Sequence, residues 1–185
     1  MKIEASIIRL EKLLAPWQSL IGVEYQGYRN HLYRMIHCCV ALQGHQSLEE
    51  CDEQTLQKIC IAACFHDIGI WINNTVDYIA PSLPPARAYL LEYGLEAWTD
   101  EIILMISEHH KLSPYRDEAY PLVEVFRKGD LVDFSLGMVR FGLDKEFIAC
   151  LKSTFPNAGF HSMLVRRASK WFLRHPLNPA PMMKW

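Results

Sequence analysis

The run Ala62-Ala63-Cys64-Phe65-His66-Asp67-Ile68-Gly69-Ile70-Trp71 constrains the fold of this chain most, because a histidine and a carboxylate stand side by side inside an otherwise apolar stretch. Leu56, Ile59, Cys60 and Ala63 recur at helical spacing before the pair, and Gly69 is placed to end that helix in a left-handed turn. His66 and Asp67 then fall in the last helical turn. The carbonyl dipoles there and burial both disfavour an anion, so Asp67 needs a positive partner. A bound metal ion would supply it.

The remaining apolar pattern is helical throughout. Ile3, Ile7, Ile8, Leu10, Leu13 and Leu14 outline an amphipathic helix within residues 2–15, stopped near Pro16. A second helix is expected from about Tyr25 to Gln43, carrying His31, Arg34 and His37. After the helix of the His-Asp pair, residues 71–83 hold turn formers and read as a loop at its mouth. Ser82 then caps a helix with Pro84 and Pro85 in its first turn. Another helix starts near Thr99 and runs into His109-His110; one beginning at Pro121 contains Asp130 and Asp133. Two more are expected over residues 144–154 and 160–174, before a proline-rich tail whose Met182, Met183 and Trp185 should pack back on the domain or a partner. No strand alternation, repeat or linker interrupts the series, so the expected architecture is all-α, a single domain over residues 1–185.

Composition narrows the function. At 185 residues and 50% hydrophobic, the chain can bury a substantial core. A net charge of −2 gives no global attraction to nucleic acid or an anionic membrane, and neither is expected as a partner. No apolar run approaches the ~20 residues of a membrane span, and the acidic residue in Met1-Lys2-Ile3-Glu4 interrupts any signal-peptide core; a cytoplasmic location is expected. The six cysteines form no C-x-x-C pair and read as reduced core thiols.

His31, the pair His66-Asp67, and Asp130 thus sit in apolar surroundings on three different helices. In this order they resemble the HD superfamily of metal-dependent phosphohydrolases. The resemblance rests on His31 with Arg34, the segment from Ala63 to Gly69, and Gly129-Asp130-Leu131, and it spans about residues 25–135. It implies an HD-type helical bundle with additional terminal helices, in which His31, His66, Asp67 and Asp130 ligate one divalent ion. Two imidazoles and two carboxylates suit manganese, iron, cobalt, nickel or zinc. The implied reaction is hydrolysis of a phosphate ester in a small molecule or nucleotide, with Asp67 positioning or deprotonating water.

Arg34 and Lys111 are the candidates for holding the phosphate, and Trp71 and Tyr78 for the substrate wall. His109 and His110 resemble a histidine element found in many HD proteins, with substrate binding, proton donation or support of a second ion all open to them. Two-metal members carry a further histidine between the pair and this element. Residues 68–108 contain none, which counts against a second ion. Two alternatives stay open: a di-iron oxygenase of the kind that shares this fold, and a non-catalytic ligand-binding or interaction module. Asp133 reads as a neighbour of Asp130, and the sequence leaves a homo-oligomer open.

Overall fold

The computed structural model describes residues 1–183. It is all-α, with no β-strand among the described residues. Helices run over Ile8–Leu14 (α1), Tyr25–Leu42 (α2), Glu53–His66 (α3), Gly69–Ile72 (α4), Ile79–Glu92 (α5), Thr99–Glu108 (α6), Pro121–Phe134 (α7), Lys145–Thr154 (α8) and Phe160–Arg174 (α9). Short helical turns over Ala15–Trp17, Gln18–Ile21 and Gly22–Glu24 lead from α1 to α2.

Local chemistry sets several boundaries. The Asp52 side chain accepts from the amides of Gln54 and Thr55 at 3.0 and 3.1 Å, starting α3; such a cap contributes about 1 kcal/mol. Asp144 starts α8 in the same way, and Pro121 occupies the first turn of α7, where a missing amide hydrogen costs nothing. The first helix is shorter than its apolar pattern suggests, because Ile7 is extended and α1 begins only after it.

Helix α2 is the central element, buried almost continuously from Gly27 to Val40. It crosses α7 closely at Gly129. A Cβ added there would lie 2.3 Å from Cys39 Sγ and 3.3 Å from Met35 O, so only glycine permits this approach. Helix α3 packs against α2 and touches α7, and α5 and α6 pack against α3. One continuous core results, built around Tyr28, Tyr33, Phe65 and Phe126. Five cysteines are buried and all six are free.

The structure departs from the sequence expectation at three further places. Gly69 does not terminate α3 in a left-handed turn; it opens α4, and its role is space. A Cβ there would meet Tyr78 O at 2.2 Å and Ser82 Oγ at 2.9 Å, and its amide donates to that hydroxyl at 3.0 Å. Ser82 is accordingly a buried residue within α5 rather than its cap, since α5 already begins at Ile79 and contains Pro84 and Pro85 in its interior. The stretch Glu53–Ile72 is long and apolar enough to cross a membrane by length and composition, contrary to the reading above. Within the fold 72% of that window is buried, because it forms the core helix α3 and its extension. Of the tail expected to pack back, Met182 lies against the core, whereas Lys184 and Trp185 lie outside the described residues.

Candidate metal centre

Four helices deliver polar side chains to one buried spot. His31 projects from α2, His66 closes α3, Asp67 follows as its cap, His109 and His110 follow α6, and Asp130 lies in α7. His31, His66, Asp67, His109 and Asp130 are each at most 4% exposed. The close α2–α7 crossing at Gly129 brings Asp130 next to His31.

The distances describe a single cluster. His31 Nε2 and His66 Nε2 are 3.2 Å apart. Asp130 Oδ1 lies 3.5 Å from the first and 3.8 Å from the second. Asp67 Oδ2 is 3.3 Å from His66 Nε2, and Asp67 Oδ1 is 3.5 Å from His109 Nε2. His110 Nδ1 sits 4.0 Å from Asp130 Oδ2.

Hydrogen bonds behind the imidazoles fix what they present. His66 Nδ1 donates to Ala63 O at 2.7 Å, and His109 Nδ1 donates to Ile106 O at 2.6 Å. A carbonyl can only accept, so each of these rings carries a proton on Nδ1 and turns Nε2 towards the cluster. His31 Nδ1 donates to Asp133 Oδ2 at 2.7 Å. Burial opposes ionisation of Asp133, but His31 and Arg34 hold that carboxyl well below the usual range, so it accepts. Burial also lowers His31, which stays a neutral imidazole. His31 Nε2 and His66 Nε2 therefore meet across 3.2 Å with carboxylate oxygens beside them, where a proton or a metal ion shared among these atoms satisfies them together.

The electrostatics agree. Burial disfavours the Asp67 anion, yet His66 and His109 hold its carboxyl well below the ordinary value. Burial, reinforced by Asp67 and Asp133 and opposed by His109, pushes Asp130 up to about 7. Asp67 Oδ1 and His109 Nε2 are buried 3.5 Å apart with no hydrogen-bond partner at ordinary distance. His31, His66 and Asp67 offer one ligand atom each within 4.8 Å of one another, and so do Asp67, His109 and His110. Asp67 belongs to both groups. The mixed nitrogen and oxygen donors fit a divalent transition ion better than calcium, which prefers oxygen.

Several predicted residues take other positions. Arg34 is buried behind His31, with Nε and Nη2 on Asp133 at 2.5 and 2.8 Å and Nη1 on Phe155 O at 2.7 Å. Its donors are spent inside the fold, so it orients the Asp133–His31 pair and is not available to a phosphate. Lys111 lies 3.7 Å from Glu108 at the edge of the fold. Trp71 is buried against Tyr28, ring centres 4.7 Å apart, and its Nε1 donates to Glu24 at 2.8 Å. Tyr78 does reach the cluster: its hydroxyl lies 2.5 Å from His110 Nε2. Burial, then Asp67 and Asp130, raise that hydroxyl well above its ordinary value, whereas burial and His109 push His110 well below its own. Tyr78 therefore donates and His110 accepts as a neutral ring.

Other contributors carried little signal in the sequence. Asp133 had the right spacing from Asp130, but its partnership with His31 depends on how α2 and α7 cross. Tyr28 donates to Cys64 O at 3.0 Å at the end of α3, and Phe160 stacks on the His31 ring at 4.4 Å with 15° between planes. Nothing in the spacing marked Phe160. Although residues 68–108 contain no histidine, His109 and His110 both stand beside Asp67, with the His110 Nε2 engaged by Tyr78.

Comparison with protein-family models, with curated proteins and with solved structures found no match for this chain.

Proposed function

We propose that the chain is a metal-dependent phosphohydrolase of the HD type, acting on a phosphate ester of a small molecule or nucleotide. The observation that carries this reading is the meeting of His31 Nε2 and His66 Nε2, 3.2 Å apart and buried, with Asp67 and Asp130 carboxylate oxygens beside them. His31, His66, Asp67 and Asp130 would hold the ion. When bound, the ion supplies Lewis-acid polarisation of a phosphoryl oxygen and a lowered pKa for coordinated water.

The protein's own groups do the rest. Asp133 and the Ala63 carbonyl lock the two ligating rings in the Nε2-presenting tautomer, as outer partners of metal-bound histidines commonly do. Asp67 stays ionised and can accept a proton from water. His109 turns its Nε2 to Asp67 Oδ1 at 3.5 Å, where it can serve as a ligand or exchange a proton. Tyr78 holds His110 in place and keeps its proton. Arg34 is withdrawn from substrate binding in this reading.

A second reading is favoured by one observation, the sharing of Asp67 between two donor groups. Two irons, with Asp67 offered to both groups, would supply the chemistry of an oxygenase. Metal analysis of the purified protein, joined to a phosphatase substrate panel, tests both. One equivalent of manganese, iron, cobalt, nickel or zinc with phosphate release supports hydrolysis. Two irons per chain with oxygen consumption and no phosphate release would overturn it.

A further inference from the structure

A second concentration of chemistry lies outside the metal cluster, on the outer face of α9. Arg166, Arg167, Lys170 and Arg174 line one side of a cavity of about 530 Å³, and the loop residues Asn74 and Thr75 line the other. Arg166 and Arg167 each lie three or four residues from Lys170, and Arg174 four beyond it, which places these cations along one side of the helix. The volume falls within the range of small-molecule sites.

The charge here is poorly compensated in a chain that is acidic overall. One carboxylate, Glu24, serves both arginines: Arg166 Nη2 and Arg167 Nη2 each lie 3.0 Å from it. The same carboxylate also accepts from Trp71 Nε1. Among the described residues no carboxylate pairs with Lys170 or Arg174. Arg167 Nη1 donates to Asn74 Oδ1 at 2.7 Å, fixing the guanidinium against the loop, while its buried Nε has no acceptor. Four cations facing one acid in a half-open depression concentrate an anion rather than a neutral ligand.

Trp171 completes the wall. Its Nε1 donates to Asn178 O at 2.8 Å and the His175 ring packs on it with centres 4.1 Å apart, so the indole is held in position beside the cations. A planar ring next to several guanidinium and ammonium groups suits a phosphorylated molecule with a flat apolar part. The cavity shares no lining residue with the metal cluster. Phe160, which stacks on His31, is ten residues before Lys170, roughly 15 Å along the helix at 1.5 Å per residue.

We propose that this cavity is a second ligand site, binding the phosphate groups of a nucleotide-like small molecule through Arg166, Arg167, Lys170 and Arg174, with Trp171 against its base or equivalent ring. The site does not depend on the metal reading.

Calorimetric titration at low ionic strength, with EDTA present and the full chain carrying Asp67→Ala to remove the metal route, tests it. The probes are pyrophosphate and ATP, with anionic phospholipid vesicles and single-stranded RNA as comparisons. Pyrophosphate and ATP should both bind, with ATP tighter. The exposed pair Lys170→Glu and Arg174→Glu should weaken both at least tenfold with an unchanged helical circular-dichroism spectrum, and Lys170→Arg with Arg174→Lys should retain binding. In the otherwise native chain, the charge-reversed pair should leave metal content unchanged, separating this site from the metal centre. Failure of both soluble probes to bind, binding unchanged by charge reversal, or capture of vesicles or RNA alone would each overturn the proposal.

Discussion

Gly129→Ala probes the link between helix packing and the metal centre. The added Cβ would stand 2.3 Å from Cys39 Sγ and 3.3 Å from both Cys39 N and Met35 O. An ordinary carbon–carbon contact needs about 3.5 to 4.0 Å. The sulfur must therefore yield by more than an ångström, and it has little freedom, since Cys39 is fully buried. Overpacking of this kind costs about 1–3 kcal/mol, and relief requires α7 to move away from α2. Asp130, the next residue, moves with it, whereas metal–ligand distances tolerate only about 0.2 Å. The variant should melt several degrees lower and bind a divalent transition ion at least tenfold more weakly, by differential scanning calorimetry and competitive metal titration. Adding Cys39→Ala removes the nearest clash and should recover part of both losses. An unchanged melting temperature and unchanged metal affinity in Gly129→Ala would refute the idea that this crossing sets the ligand geometry.

Three further outcomes are expected. Asp133→Asn leaves Arg34 with a weaker partner and His31 with an unspecified tautomer, and should lower metal affinity by about 10–100-fold in competition titrations; an effect under twofold would remove Asp133 from the centre. Tyr78→Phe deletes the hydroxyl on His110 and should cost about 1 kcal/mol of stability in urea unfolding while leaving the His31–His66–Asp67 ion bound. Burial pushes the metal-free Asp130 carboxyl up to about 7, so it takes up a proton as pH falls through that value and the ion must then displace it. Metal affinity should fall between pH 8 and pH 6, with calorimetric heats that vary with buffer ionisation enthalpy as one proton is released; pH-independent affinity would contradict this.

The helices and the positions of the cluster residues were legible because each polar residue interrupts an apolar run of helical period. His66, Asp67 and Asp130 stand out against Cys64, Phe65, Phe126 and Val132 on sequence alone. The layer behind them was not legible, since it depends on how helices cross. Arg34 looked available to an anion three residues from His31, yet the α2–α7 approach places Asp133 and the Phe155 carbonyl on its guanidinium. Gly69 read as a helix stop by residue type, whereas its function is to admit Tyr78 O and Ser82 Oγ. The basic face of α9 lay in plain view as Arg166, Arg167, Lys170 and Arg174, but only folding sets it opposite Asn74 and Thr75.

The central claim is that His31, His66, Asp67 and Asp130 form a transition-metal centre. Elemental analysis of the native chain and of Asp67→Ala, each loaded with manganese, cobalt, nickel, iron or zinc and desalted, tests it most directly. The native protein should retain at least one equivalent of one of these ions, and the variant should lose it while keeping a helical circular-dichroism spectrum. A native chain that retains none of the five, or a variant that retains the full native complement, would contradict the assignment.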